Sequence, residues 1–224
     1  MENSIYSNKH NNLLDKIVIK KRHEMSEIIN KYISNQSIEH VLDIGTTDDD
    51  GFESSNYLIK NLKNIKIYRS ISDQKINSKF FSKALTKSIT ENFSHDEIEN
   101  FSSDLVISNA TIEHVGDKNY QIKMTENIIK LSKKIFVITT PNRFYPFDFH
   151  TKIPLIHWLP KKIHRKILKI IGLEYFSKIE NLNLLSKDDI LEIFSNFKNI
   201  KYKIFHIKLA QIKSNFIIIG EIIK

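Results

Sequence analysis

Four short apolar runs with a β-branched bias set the fold class: "IEHVLDI" (38–44), "IKIYRSI" (65–71), "SDLVISN" (103–109) and "KKIFVITT" (133–140), the last stopped by Pro141. The first, third and fourth each hold a short unbroken apolar core, Val41-Leu42, Leu105-Val106-Ile107 and Ile135-Phe136-Val137-Ile138, as buried strands do. Helical patterns stand before and between them. "NLLDKIVIKKRHEMSEIINKYI" (12–33) has apolar residues at helical spacing, "SSNYLIKNL" (54–62) follows with Ser54 or Ser55 as its cap, and "KNYQIKMTENIIKLS" (118–132) fills the gap before the last run. Connections of this length suit parallel pairing, so the class is α/β.

The stretch 72–103 is the least legible; within it "FFSKALT" reads as a weak further strand and "HDEIENF" as a short helix. At the other end, "SKDDILEIFSNF" (186–197) is a helix capped by Ser186, with Asp189 three residues on. "IKYKIFHIKLA" (200–210) and "NFIIIGEIIK" (215–224) are separated only by "QIKS" and pair as an antiparallel hairpin. The expected architecture is therefore a Rossmann-like, seven-stranded, mostly parallel sheet with a C-terminal antiparallel hairpin and helices on both faces.

At 224 residues with 41% hydrophobic content, the chain can bury one full core. A single domain over 1–224 is expected, with an N-terminal helical extension over 1–36 and a lid-like insert over 143–186 between the fifth and sixth strands. The region from 141 to 186 contains every proline of the chain and its only tryptophan. It is too long for an ordinary connection, and long loops of this kind are usually lids or binding elements. Within it, "KKIHRKILKII" (161–171) is a basic amphipathic helix. It suits either a lid packed on the sheet or, through the 152–171 region, peripheral contact with a membrane surface.

There is no cysteine, which excludes disulfides, thiolate metal sites and cysteine nucleophiles. The polar start "MENSIYSNKHNN" is followed by no signal-peptide core, and runs such as "FIIIG" are too short to span a bilayer, so a cytoplasmic location is expected. The net charge of +8 comes mostly from scattered lysines rather than from a clustered face, which argues against nucleic acid as the partner.

In an open α/β sheet, ligands lie beyond the carboxyl ends of the strands at the topological switch point. Those ends are Gly45, the Ser72-Asp73 region and Ser108-Asn109. Gly45 suits a close approach of backbone to ligand, and Asp73 stands somewhat beyond the spacing at which an acidic residue binds ribose hydroxyls. Asp48, Asp49 and Asp50 would repel a pyrophosphate, so a dinucleotide is disfavoured and a cationic cofactor is compatible. They serve equally as a solvated turn or a helix cap. As a divalent-metal site they have no second cluster to complete them, and no metal is assigned.

Taken together in order and spacing, "VLDIG" (41–45), "DLVISNATIEHV" (104–115), "KKIFVITTPN" (133–142) and the terminal hairpin resemble the class I S-adenosylmethionine-dependent methyltransferases. Glu113-His114-Val115 matches a signature of the small-molecule, type 11-like branch. The resemblance covers roughly two thirds of the chain and implies S-adenosyl-L-methionine as cofactor, with Asp43, Gly45, Thr46, Asp73, Ser108 and Asn109 around it. Asp43 would orient the first loop or reach the methionine ammonium. Thr46 and Thr47 stand where the family usually has further glycines.

No Asn/Asp-Pro-Pro-aromatic tetrapeptide follows the fourth strand, which disfavours amino-group methylation of adenine, cytosine or glutamine. Oxygen methylation of a small molecule, sugar or lipid-linked intermediate is expected instead. Histidine titrates in the range an oxygen acceptor's base needs. The catalytic candidates are therefore His114, beside the expected site, and His150 and Tyr145, near Asp148 in the insert. The alternatives are an RNA methyltransferase, suggested by charge, and a catalytically silent Rossmann-like binding partner, suggested by the glycine-poor loop.

Overall fold

The computed structural model describes residues 12–48 and 55–223; Asp49, Asp50 and Ser54 lie outside the described residues. In chain order the elements are α1 (Asn12–Ile33), β1 (His40–Ile44), α2 (Tyr57–Lys60), β2 (Ile67–Ser72), β3 (Lys83–Thr86), α3 (His95–Phe101) and β4 (Ser103–Asn109). They continue with α4 (Lys118–Leu131), β5 (Ser132–Pro141), α5 (Lys161–Ile170), α6 (Glu174–Ser177), α7 (Lys187–Phe194), β6 (Ile200–Leu209) and β7 (Ile212–Ile222).

The strands form one sheet in the order β3-β2-β1-β4-β5-β7-β6. The first five are parallel, and β7 runs antiparallel between β5 and β6. The order reverses at β1, so the carboxyl ends of β1 and β4 flank the switch point where a ligand crevice forms.

Strand alternation builds two apolar layers. Leu42, Ile44, Val106, Phe136, Ile138 and Ile218 face one way and pack with α4 and α7 through Met124, Ile128 and Phe194. Val41, Leu105, Ile107, Val137, Ile217 and Ile219 face the other way and pack with α1 and α2 through Met25, Ile29, Leu58 and Ile59. Each such side chain, fully buried, contributes about 1.5–3 kcal/mol. Helices thus cover both faces, as the unalternating strands require.

Gly220 of β7 lies directly opposite Phe136 of β5. A Cβ at 220 would sit 2.0 Å from that ring, so the glycine makes room for a fully buried phenylalanine. Capping follows the sequence closely at α7, where Ser186 Oγ accepts from Asp189 N and the Asp189 carboxylate accepts from Ser186 N. At α3 the pair Ser94 and Glu97 forms the same reciprocal cap.

Two expectations are corrected. The helix expected over 54–62 is a single turn, Tyr57–Lys60, preceded by Asn56 at φ 51 with no side-chain cap. The left-handed Asn56 and Asn64 at φ 62 bracket the segment and confine it. The hairpin turn is not "QIKS" but the two residues Ala210 and Gln211, at φ 50 and 66, between the paired Leu209 and Ile212. Positive φ at both central positions matches the twist of the flanking strands, and this holds the tighter loop.

Candidate active site

The turn after β1 is braced on three sides. Gly45 takes φ +81, and its N–H donates to Ile71 O at 2.9 Å. A Cβ there would stand 2.3 Å from Thr111 Oγ1, so the space over the glycine is filled by a side chain from the turn after β4. The absent side chain at 45 therefore admits Thr111, whose Oγ1 donates to Ile44 O at 3.4 Å.

Asp43, 7% exposed, accepts from Thr46 Oγ1 at 2.7 Å. Burial pushes its carboxyl up to about 7, against the downward pull of the Thr46 bond. Ser72 Oγ donates to Thr46 O at 2.8 Å and ties the end of β2 to this turn. Asp73, the next residue, is exposed at the same edge.

The threonines and the first aspartate belong to a built loop. Asn56 Nδ2 donates to Thr47 O at 2.8 Å, and Asn56 Oδ1 accepts from Thr47 N at 3.1 Å. Asp48 accepts from the backbone and side-chain nitrogens of Asn77, both at 2.7 Å, which hold its carboxyl below the usual range. Asp48 therefore closes the first loop onto the loop after β2.

At the end of β4, Ser108 is fully buried and its hydroxyl donates to Ile44 O at 3.2 Å, an internal link between β1 and β4. Asn109 Oδ1 accepts from Thr139 Oγ1 at 2.7 Å, joining β4 to β5. Next comes a 3-10 turn, Ile112–His114. Glu113 is fully buried; its Oε2 accepts from Thr140 Oγ1 at 2.9 Å, while Oε1 has no hydrogen-bond partner.

His114 and His150 meet here, with ring centroids 5.0 Å apart. His114 Nδ1 donates to Asn181 O at 2.6 Å. His150 Nδ1 lies 3.0 Å from Asp148 Oδ1, and its Nε2 stands 4.0 Å from Glu113 Oε1. Burial would lower the His150 imidazole's pKa, but Asp148 and then Glu113 outweigh it and raise it. Burial likewise works to raise Asp148, yet the bonds from His150 and Thr151 hold it down at about 2.

Tyr145 is half-buried and stacks on Phe149 at 6.1 Å; its carbonyl accepts from His157 Nε2 at 2.7 Å. Tyr145 thus packs into the insert, while His114 and His150 stand together at the sheet edge. Glu113 and Asp148 were not singled out by sequence as members of one cluster. The available signal was an acid-histidine pair just past β4 and an "Asp-Phe-His" just past β5, two neighbouring parallel strands whose carboxyl ends converge.

The insert is clamped to this edge. Asn183 N donates to Glu113 O at 2.7 Å, Asn183 Nδ2 donates to Gly116 O at 2.8 Å, and Gln121 Nε2 donates to Asn183 O at 3.1 Å. Beside the clamp lies a small basic cleft lined by Arg143, His157, Lys161, His164, Arg165 and Asn183. Burial and the surrounding cations hold His164 down at about 4 despite the pull of Asp148.

This strand order, with its reversed seventh strand, is the fold of the class I S-adenosylmethionine-dependent methyltransferases, and solved structures of that class superpose on nearly the whole chain. The chain is similar to the plantazolicin methyltransferase BpumL, solved with S-adenosylhomocysteine (TM-score 0.60, 11% identity, 99% of this chain and 93% of that one). It is similar to magnesium protoporphyrin IX methyltransferase from Synechocystis PCC 6803, also solved with S-adenosylhomocysteine (TM-score 0.59, 11% identity, 96% and 90%). The small RNA methyltransferase HEN1 matches at TM-score 0.57 and 14% identity over 90% of this chain and 25% of that one. No protein-family model matches the sequence, and no curated protein does. Likeness at these identities establishes the fold.

Proposed function

We propose that this chain is an S-adenosylmethionine-dependent methyltransferase acting on oxygen in a small-molecule, sugar or lipid-linked acceptor. The observation that carries the reading is the switch-point edge itself: the sheet order of solved methyltransferases, with the buried Asp43 carboxyl at the end of β1. A buried acid held near neutrality fits a cationic ligand, because a nearby positive charge restores its ionised form. The same acid, with Asp48 close by in the loop, opposes a phosphate-bearing cofactor.

In this reading Asp43, Gly45 and Thr46 form the methionine side of the cofactor site, Asp73 binds the ribose, and Ser108 and Asn109 shape the far wall. S-adenosylmethionine supplies the methyl group on a sulfonium, so the chain's task is alignment and exclusion of water. His114 and His150 assist loss of the acceptor's proton, and Tyr145 anchors the insert that covers it.

Among the described residues no helix is long and apolar enough to cross a membrane. Contact with a membrane surface through 152–171 is supported by the outer side of the insert, where Ile163, Ile170, Trp158 and Leu155 are exposed beside the lysines of α5.

Titration calorimetry with S-adenosylmethionine and S-adenosylhomocysteine tests the main reading. Binding is expected for both, and none at millimolar cofactor overturns it. Asp73→Ala should weaken both strongly; unchanged affinity would remove Asp73 from the site. An RNA acceptor is the second reading, supported by the net charge of +8 and the fold likeness to HEN1. It requires RNA affinity that falls steeply with salt.

A further inference from the structure

Three side chains at the sheet edge are arranged in a way that methyl-group alignment alone does not explain. Glu113, His114 and His150 each present one potential donor atom, and these atoms lie within 4.8 Å of one another. Glu113 Oε1 is fully buried and unpartnered, and its approach to His150 Nε2, 4.0 Å, is too long for a hydrogen bond. The two charges can attract one another at this distance, but no hydrogen bond closes the gap between them. A buried carboxylate oxygen left open in this way is costly unless something fills the gap.

The second set of contacts says what would fill it. Both imidazoles are held from behind through Nδ1: His114 by the backbone carbonyl of Asn181, His150 by the carboxylate of Asp148. Metal-ligating histidines are held in this way, one ring nitrogen donating to a carbonyl or carboxylate and the other left free to ligate. Glu113 is oriented as well, by Thr140 on its other oxygen. Every member thus has one polar atom fixed by the protein, and one atom from each lies within 4.8 Å of the others.

We propose that Glu113 Oε1, His114 Nε2 and His150 Nε2 bind one divalent first-row transition-metal ion. Two imidazoles and a carboxylate suit zinc, iron, cobalt or nickel better than magnesium or calcium, which prefer all-oxygen shells. Donors about 2.1 Å from a shared ion stand roughly 3.4 Å apart in a tetrahedral site. The present donor atoms, within 4.8 Å of one another, would draw together to that value when the ion binds. Three protein ligands leave a position open, the pattern of a site that handles a substrate rather than one that only holds the fold.

The ion's role rests on the methyltransferase reading given above. At the open position it would lower the pKa of an acceptor hydroxyl, whose proton leaves to water. The oxygen then attacks the methyl carbon, a C–O bond forms as the C–S bond breaks, and S-adenosylhomocysteine departs. His114 and His150 act in this scheme as ligands, and the ion is what assists loss of the proton. Asn183, whose N–H donates to Glu113 O, links this cluster to the insert and its basic cleft.

Equilibrium dialysis of the full chain against zinc, followed by substitution with cobalt, tests the site without any cofactor or acceptor. The expected result is one ion per chain, with visible ligand-field bands in the cobalt form that report imidazole ligation. His114→Gln and His150→Gln should each weaken binding about a hundredfold, and Asp148→Asn about tenfold through loss of its hold on His150. Because Glu113 is buried, Glu113→Gln is read alongside its far-ultraviolet circular dichroism, and the two histidine variants carry the test if it fails to fold. No retained ion, or retention unchanged in both histidine variants, overturns the proposal. If cofactor binds and metal does not, the methyltransferase reading stands and the metal site falls; metal binding without cofactor binding gives the reverse.

Discussion

Thr111 occupies the space over Gly45: its Oγ1 lies 2.3 Å from where a β-carbon at 45 would be, and its Cγ2 lies 2.8 Å away. The turns after β1 and β4 therefore interlock, and the glycine serves this contact as well as its own left-handed backbone. Gly45→Ala should cost about 3 kcal/mol, combining left-handed strain with overpacking. Adding Thr111→Ala should return the steric share and leave about 1 kcal/mol for the backbone. Urea unfolding of the two variants measures this; no recovery in the double variant would show that the contact is not the cause.

In the proposed site, Asp43 should link pH to both stability and cofactor affinity, with opposite signs. Its folded pKa of about 7 lies above the unfolded value, so its stabilising contribution is full below about pH 4 and is lost as pH rises through 7. A cationic cofactor needs the ionised form. Affinity for S-adenosylmethionine should therefore rise with pH up to about 7, approaching tenfold per unit, and level off above. Asp43→Asn should flatten both profiles, read by thermal melts and calorimetry. A pH-independent affinity in the native chain would place the cofactor's charge away from this carboxyl.

The outer side of the insert should bind anionic vesicles and ignore zwitterionic ones. Ile170 is 73% exposed on a helix that carries Lys161, Lys162, Lys166 and Lys169. Each lysine near an anionic surface contributes about 1 kcal/mol, so Lys166→Glu and Lys169→Glu should each lower vesicle affinity at least about fivefold. Ile163→Asn with Ile170→Asn should lower it further by removing the inserted apolar area. Co-sedimentation with phosphatidylserine and phosphatidylcholine vesicles measures it, and equal binding to both lipids would exclude the charged component.

The β6–β7 turn holds Ala210 and Gln211 at φ 50 and 66, a conformation that glycine and asparagine adopt at lower cost. Ala210→Asn with Gln211→Gly should stabilise the protein by about 1 kcal/mol, seen as a higher urea midpoint at unchanged slope. A loss of stability would mean that the turn is not of the primed type.

The long-period features of this chain were legible in its sequence. Strand ends at Ile44, Asn109 and Pro141 follow from apolar runs stopped by glycine, polar residues or proline, and α1 occupies the range its periodicity marks. The reversed hairpin followed from two adjacent β-rich runs. What failed was short-range: the left-handed Asn56 and Asn64 reduce the helix expected over 54–62 to one turn, and "QIKS" concealed a tighter turn one step earlier. The candidate site was legible only as an edge, the carboxyl ends of β1 and β4 where Asp43, Gly45 and Asn109 stand. His114 and His150 were placed at that edge, but the part of Glu113 in their cluster was not, because it depends on how the turn after β4 packs against the neighbouring, parallel β5. Sequence separation hides such a contact.

The insert leaves and rejoins the scaffold at one place: Asn142 bridges to Leu185, and Arg143 N donates to Leu185 O at 2.9 Å. Everything between is a closed excursion whose ends already touch, so its length places almost no demand on the strands. On the reading proposed above, such a segment could be traded whole, as a cassette, provided its replacement keeps the contacts that Asn183 makes to the turn after β4. Divergence in acceptor choice would then proceed by replacing this one excursion, leaving the rest of the chain free to drift within the limits of its core.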